Sequence, residues 1–271
     1  MTSPAVAVPD AAEVARAAGV DLREVTDLAG FAAVRVLFDG IWRPDPGSPH
    51  VTIELLRALT KAGNYLTAAY QGSRMVGACV GFFGPPRQAT MHSHIAGVAP
   101  DVAGRGVGYA LKLHQRSWAL DRGLHTITWT FDPLVSRNAY FNLVKLGAVA
   151  CEYLPDFYGG MHDGINGGDE TDRLLVRWDL DASGPAPVAA DGAAVALDRA
   201  PDGGPVAGSL DGDHVVVAVP ADVEALRAAD PALARRWRTA VREALVPLLA
   251  DGRRIVGFDK SGLYVLRREN R

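Results

Sequence analysis

Three glycines, Gly104, Gly106 and Gly108, fall within five positions of the stretch VAPDVAGRGVGYALK, between a strand-like run and a helix-like one. Glycine reaches φ > 0 at little cost and lets a ligand approach the backbone closely. The first turn of a helix adds unpaired N–H groups and the positive end of the macrodipole. Together these features can grip a phosphate, although a plain tight turn uses the same residues. Upstream, His92 and His94 stand two apart on the strand-like run, which puts them on one face. A near-neutral imidazole suits a general base, acting directly or through water, while hydrogen bonding inside a sheet is the simpler role. Tyr158 lies in PDFYGGMHDGIN, a Gly-rich polar stretch with the composition of a substrate loop.

Other chemistries fit less well. The glycine stretch has no Gly-Lys-Ser/Thr ending and no Gly-x-Gly-x-x-Gly spacing, so neither a P-loop nor a dinucleotide turn is expected. Cys79 and Cys151 have no metal-ligand spacing and read as small buried hydrophobes of a reducing compartment. A formal net charge of −3 without a dense basic run argues against nucleic acid as the partner. No basic-then-apolar leader opens the chain and no run of ~20 apolar residues exists, so a cytoplasmic protein without a membrane partner is expected.

At 271 residues, 48% of them hydrophobic and 22% charged, the chain has the composition of one large globular domain or slightly more. Residues 1–19 are Ala-rich and read as frayed. A helix begins near a Thr26 cap and another at TIELLRALTKAG. NYLTAAYQG and RMVGACVGFFG form a hairpin about Gln71-Gly72-Ser73, and ATMHSHIAGV is a third strand. The helix from Gly108 to Gly123 puts Val107, Ala110, Leu111, His114, Ser117 and Trp118 on one face. Lys112, Gln115 and Arg116 fall on the other. HTITWTF is a strand, SRNAYFNLVKLG a helix, and RLLVRWDL a later strand. Residues 181–212 are rich in Ala, Gly, Pro and Asp and read as a linker or mobile loop. Beyond them come a strand, two helical pieces divided at Pro231, and a hairpin. The alternation of strands and helices predicts an α/β (α+β) sheet.

The succession HIAGVAPDVAGRGVGYALKLHQRSWALDRG, ITWTFDP and RNAYFNLVKLGA resembles the acyl-CoA-binding core of the GNAT N-acetyltransferase superfamily. FYGGMHDGINGGDETDRLLVRW and the tail make the chain similar to a branch of predicted acetyltransferases with an extended C-terminus. The resemblance implies the GNAT acyl-CoA N-acyltransferase fold, a mixed central sheet flanked by helices, with a small C-terminal α/β extension. It implies a core over residues 1–180, the linker at 181–212 and an extension at 213–271. The family motif Arg/Gln-x-x-Gly-x-Gly/Ala falls on Ala103, Gly104, Arg105, Gly106, Val107 and Gly108, followed by Tyr109. Its amides would cradle the pyrophosphate of coenzyme A. Ala103 departs from the usual Arg or Gln, and Arg105 is the candidate to supply the charge. Ala96, Gly97 and Val98 would offer backbone groups to the pantetheine arm. Asn138 matches a polar contact to that arm, with a helix start beside a Ser136 cap as the structural alternative.

The implied reaction transfers an acyl group, acetyl or succinyl, from acyl-CoA to the amine of a small molecule such as an amino acid. No metal is required. His94 and His92 are the candidate bases. The family's proton-donating tyrosine position is occupied here by Leu143, which leaves Tyr158, Tyr140 or Tyr153 as donors, with Tyr158 preferred, or a thiolate that leaves unprotonated with amide N–H help. Asp132 either orients substrate or forms a turn before Pro133, and Arg137, Arg173 and Arg177 are candidates to hold an acceptor carboxylate. The alternative in another class is a non-catalytic acyl-CoA-binding sensor or assembly module, favoured by Leu143 and Ala103. In the extension, Leu233, Trp237, Val241, Leu245 and Leu248 share a helical face that must be buried, against the core or in a homodimer.

Overall fold

The computed structural model describes residues 9–161, 163–182 and 190–268. They form two compact units. The first runs to Trp129 and takes in residues 179–182, and the second joins Thr130–Trp178 to residues 190–268.

In the first unit, α1 (Ala11–Ala17) forms where fraying is expected, because the Asp10 carboxylate accepts from the amides of Ala12 and Glu13. After β1 (Asp21–Glu24), α2 (Leu28–Trp42) is capped by Asp27 rather than Thr26, its Oδ1 accepting from Gly30 N at 2.7 Å. Thr52 caps α3 (Ile53–Lys61). β2 (Tyr65–Gln71) and β3 (Arg74–Phe83) form the expected hairpin, with Gly72 at φ 61 in its turn. β4 (Thr90–Val98), α4 (Val107–Leu120) and β5 (Thr126–Phe131) follow. The sheet is mixed: β1, β2, β3 and β4 are antiparallel neighbours, and β5 runs parallel to β4.

Helices cover both faces of that sheet. Phe31, Val34 and Phe38 of α2 and Leu56 of α3 bury against Leu66, Ala68, Ala78 and Val80. On the opposite face, Val107 and Leu111 of α4 lie just above Gly77. Lys112 and Gln115 of α4, which the spacing sets on the face opposite Val107 and Leu111, are also buried, only 5% and 0% exposed. Cys79 is buried as expected, whereas Cys151, of the second unit, is exposed.

In the second unit, α5 (Ser136–Ala139) begins after Val135 without a side-chain cap and continues as a π-helical turn over Tyr140–Lys145. β6 (Val149–Leu154) pairs antiparallel with β7 (Arg173–Asp179). The expected linker is corrected over part of its length. β8 (Ala194–Arg199) and β9 (Pro205–Ala207) are strands, while residues 183–189 lie outside the described residues. With β10 (His214–Ala218), β11 (Arg253–Phe258) and β12 (Leu263–Arg268) they build a five-stranded sheet in the order β11-β12-β10-β8-β9. α6 (Val223–Ala229) precedes α7 (Pro231–Ala250), whose Trp237, Val241, Leu245 and Leu248 are all buried.

The second unit also buries charge. Asp132 accepts from Arg227 (2.6 Å) and from Arg238 (2.7 and 2.8 Å), and Asp169 pairs with the same two arginines at 3.3 and 3.1 Å. Asp132 Oδ1 also accepts from Leu134 N at 2.9 Å. The carboxylate therefore makes the turn before Pro133 and anchors α6 and α7, which leaves it no free oxygen to orient a substrate.

Candidate functional site

The site in the first unit begins with a strand irregularity. Gly81 pairs with Ser93 and the next β3 residue back, Val80, pairs with Ile95, so His94 is an extra residue in β4. Such a bulge bends the strand and ends regular pairing. The β4–β5 ladder joins Thr90 to Thr126, Met91 to Ile127 and His92 to Thr128, and stops there. Past His92 the two strands fork, and the β5-facing backbone of Ser93–Val98 has no ladder partner in β5. Gly97 lies at this divergence, where a Cβ would come within 2.7 Å of the Trp42 ring.

The glycine loop sits at the end of the forked strand. Gly104 (φ 78) and Gly106 (φ 88) are left-handed, a conformation that disfavours any side chain. Gly106 is the N-cap of α4, and no side-chain hydrogen bond caps this helix start. Ala103, Gly104, Arg105 and Gly106 are exposed, Val107 is buried, and Gly108 and Tyr109 are half-buried. An exposed, uncapped, glycine-bent helix start fits a phosphate group, which needs N–H donors and close backbone approach.

His92 and His94 do share a face, since the Phe82 ring lies 5.2 Å from one imidazole and 5.8 Å from the other. Alternation fails only after His94, at the bulge. His92 Nδ1 is 3.2 Å from Thr128 Oγ1. Burial, then the charges of His94 and Lys112, pull the His92 pKa down to about 4. Burial and neighbouring His50 lower that of His94 as well. Both are therefore neutral and able to accept a proton at physiological pH.

The remaining candidates belong to the second unit. Tyr158 is exposed, its hydroxyl 3.0 Å from Thr130 Oγ1, and the Arg173 guanidinium lies 5.4 Å from its ring centroid. Asn138 stands half-buried in the first turn of α5. Tyr153 is ruled out as a proton donor: it donates to Asp172 at 2.5 Å, and burial with that carboxylate raises its pKa far above the ordinary phenol value. Leu143 is buried in the π-helical turn and Tyr140 is half-buried beside it. Arg137 is taken up by Glu224 at 2.5 Å. Arg173 is buried, donating to the carbonyl of Asp172 (2.9 Å) and to Asn166 Oδ1 (3.3 Å). Among the described residues no His/Cys/Asp/Glu group could hold a metal ion, and no helix is long and apolar enough to cross a membrane.

Residues 27–143 match the model of the acetyltransferase (GNAT) family. No curated protein matches the chain. Among solved structures, the ribosomal-protein-S18-alanine N-acetyltransferase from Escherichia coli is 12% identical, with 63% of this chain and 99% of that chain covered and a TM-score of 0.47. The ribosomal-protein-S5-alanine acetyltransferase from Vibrio fischeri is 16% identical, with 62% and 96% covered and a TM-score of 0.49. The Salmonella typhimurium protein yncA, solved with its cofactor acetyl-CoA, is 17% identical, with 63% and 99% covered and a TM-score of 0.47.

Proposed function

From the premise that residues 27–143 are a GNAT acetyltransferase domain, we propose that the protein transfers an acyl group, acetyl or succinyl, from acyl-CoA to the amine of a small molecule such as an amino acid. The observation that carries this reading is the forked β4–β5 pair ending in an uncapped glycine-bent helix start. The amides of Gly104, Gly106, Val107 and Gly108 suit the pyrophosphate, and the β5-facing backbone edge of Ala96–Val98, whose other edge pairs with β3, suits the amide-bearing pantetheine arm. Asn138 is proposed as a further polar contact to that arm. The acceptor nitrogen attacks the thioester carbon, a C–N bond forms, and the C–S bond breaks. His94 takes the amine proton, with His92 as the alternative base, and Tyr158 returns a proton to the thiolate.

Melting curves with CoA, acetyl-CoA and succinyl-CoA test the first half of this reading. A ligand at a hundred times its Kd stabilises the fold by about 2.7 kcal/mol, enough to shift Tm visibly. A thiol-release assay across a panel of amines tests the second half, and silence of the whole panel would sink the enzyme reading. Leu143 at the usual tyrosine position favours one competitor, a non-catalytic acyl-CoA sensor. That protein gives the same Tm shifts with no thiol release for any acceptor.

The choice of base has a pH signature. A base is lost as it protonates, so kcat/KM falls as pH drops through its pKa. For His94, whose pKa is lowered, the acid limb lies below 6.5, while for His92 it lies near 4. His94→Gln should reduce kcat about a hundredfold, with acyl-CoA affinity unchanged. An acid limb above 6.5 assigns the proton to another group.

A further inference from the structure

Lys112 is nearly fully buried in the first unit, although α4 offers it a route to solvent by pattern. Its Nζ donates to Ser93 Oγ at 2.7 Å and to Gln115 Oε1 at 3.2 Å, and stands 4.0 Å from the centroid of the Trp129 ring. Two of the ammonium's three donors make these hydrogen bonds, and the Trp129 face meets the charge by cation–π attraction. No carboxylate pairs with it among the described residues. A buried charge without a counter-ion is costly, so packing alone does not account for it.

Its position is specific. The last paired residues of the fork are His92 on β4 and Thr128 on β5. Ser93 and Trp129 are the next residue on each strand, the first pair with no ladder between them. Lys112 contacts both side chains at once, one by hydrogen bond and the other by cation–π attraction. We propose that Lys112 is a positioning residue that struts the β4–β5 fork from the α4 side, fixing the slot that receives the acyl-pantetheine arm. The inference rests on the acyl-CoA reading above.

The groups around the ammonium bear on its titration. Cys79 of β3, His92 of β4 and the neutral Ser93, Gln115 and Trp129 surround it, and none is a carboxylate. Burial lowers the Lys112 pKa to about 8, against a weaker opposing influence of Cys79. The strut is therefore charged at neutral pH and loses its charge as pH rises past 8.

The test compares wild type, Lys112→Met and Ser93→Ala by melting curves, by acetyl-CoA titration at pH 7 and pH 9, and, with an acceptor in hand, by steady-state kinetics. Met fills a similar volume without a charge, so relief of the ammonium's desolvation cost outweighs the lost hydrogen bonds to Ser93 and Gln115. Lys112→Met should therefore melt at or above the wild-type temperature, bind acetyl-CoA at least tenfold more weakly, and raise KM for acyl-CoA more than it lowers kcat. Wild type should lose several-fold in affinity between pH 7 and pH 9, and Lys112→Met should lose none. Ser93→Ala, which frees one arm of the strut, should weaken binding by a smaller factor and supplies the readout if Lys112→Met fails to fold. Wild-type affinity in both variants overturns the strut. Equal losses of stability and affinity make Lys112 a core residue only and also overturn it. Wild type that binds no acyl-CoA overturns the acyl-CoA reading itself, a result separate from the other two.

Discussion

Asp132→Asn should destabilise the second unit by about 3–5 kcal/mol, the cost of breaking a buried ion pair from one side, and lower its Tm by roughly 10 °C. Asp132 and Asp169 balance Arg227 and Arg238, and all four side chains are at most 8% exposed. The substitution leaves two buried guanidiniums facing one carboxylate. Adding Arg227→Met restores the balance and should recover part of the loss, which a simple lost-contact account does not predict. Acid acts the same way. The guanidiniums of Arg238, Arg227 and, more weakly, Arg173 hold the Asp132 carboxyl well below the usual carboxylate range, overcoming the opposing effect of burial. Its stabilisation is thus complete above the unfolded-state pKa of about 4 and erodes as pH falls below it. Ending the chain after Leu180 removes both arginines together with α6 and α7, and should leave Thr130–Trp178 unfolded or insoluble. A soluble, fully active fragment would overturn the assignment of this cluster as the anchor of the extension.

The cluster also marks where sequence reading stops. Asp132 is 95 residues from Arg227 and 106 from Arg238, and no local pattern joins them. Local signals did carry the elements whose structure is local. Gly72 marks the β2–β3 turn, Pro231 separates α6 from α7, and the spacing of Trp237, Val241, Leu245 and Leu248 gives the buried stripe of α7. The glycine loop was legible because left-handed backbone and an uncapped helix start are properties of a few adjacent residues. Lys112 and Gln115 were missed because amphipathic patterning assumes one buried stripe, whereas α4 is buried more widely around its axis. The equal facing of His92 and His94 followed from alternation, but the bulge that His94 makes did not. An extra residue in a strand shows only in its pairing with a neighbour. β8 and β9 were hidden by Ala, Gly, Asp and Pro composition, which sheet pairing overrides.

Gly106→Val should weaken acyl-CoA binding about a hundredfold, ~2.7 kcal/mol, while the protein still folds. Gly106 has φ 88, and a β-branched residue there costs of order 1–3 kcal/mol of backbone strain. Space is not the obstacle, because an added Cβ would meet only the Ala18 Cβ at 3.6 Å. The loop can relieve the strain by turning its peptide planes, and that same movement takes the first-turn amides of α4 out of convergence. Strain of that size leaves an ordinary fold standing, since domains are stable by about 5–15 kcal/mol. Gly108→Ala is the internal control. Gly108 has no positive φ, and its added Cβ would stand 3.7 Å from Val98 Cγ2, an ordinary contact. It should bind acyl-CoA within about twofold of wild type (under ~0.5 kcal/mol), so the pair separates backbone conformation from mere loss of glycine. The measurement is an acetyl-CoA titration of both variants beside their ligand-free melting curves. Wild-type affinity in Gly106→Val would mean that the amides of α4 do not hold the pyrophosphate. A matching loss in Gly108→Ala would mean that close approach, rather than the left-handed turn, is what the glycines provide.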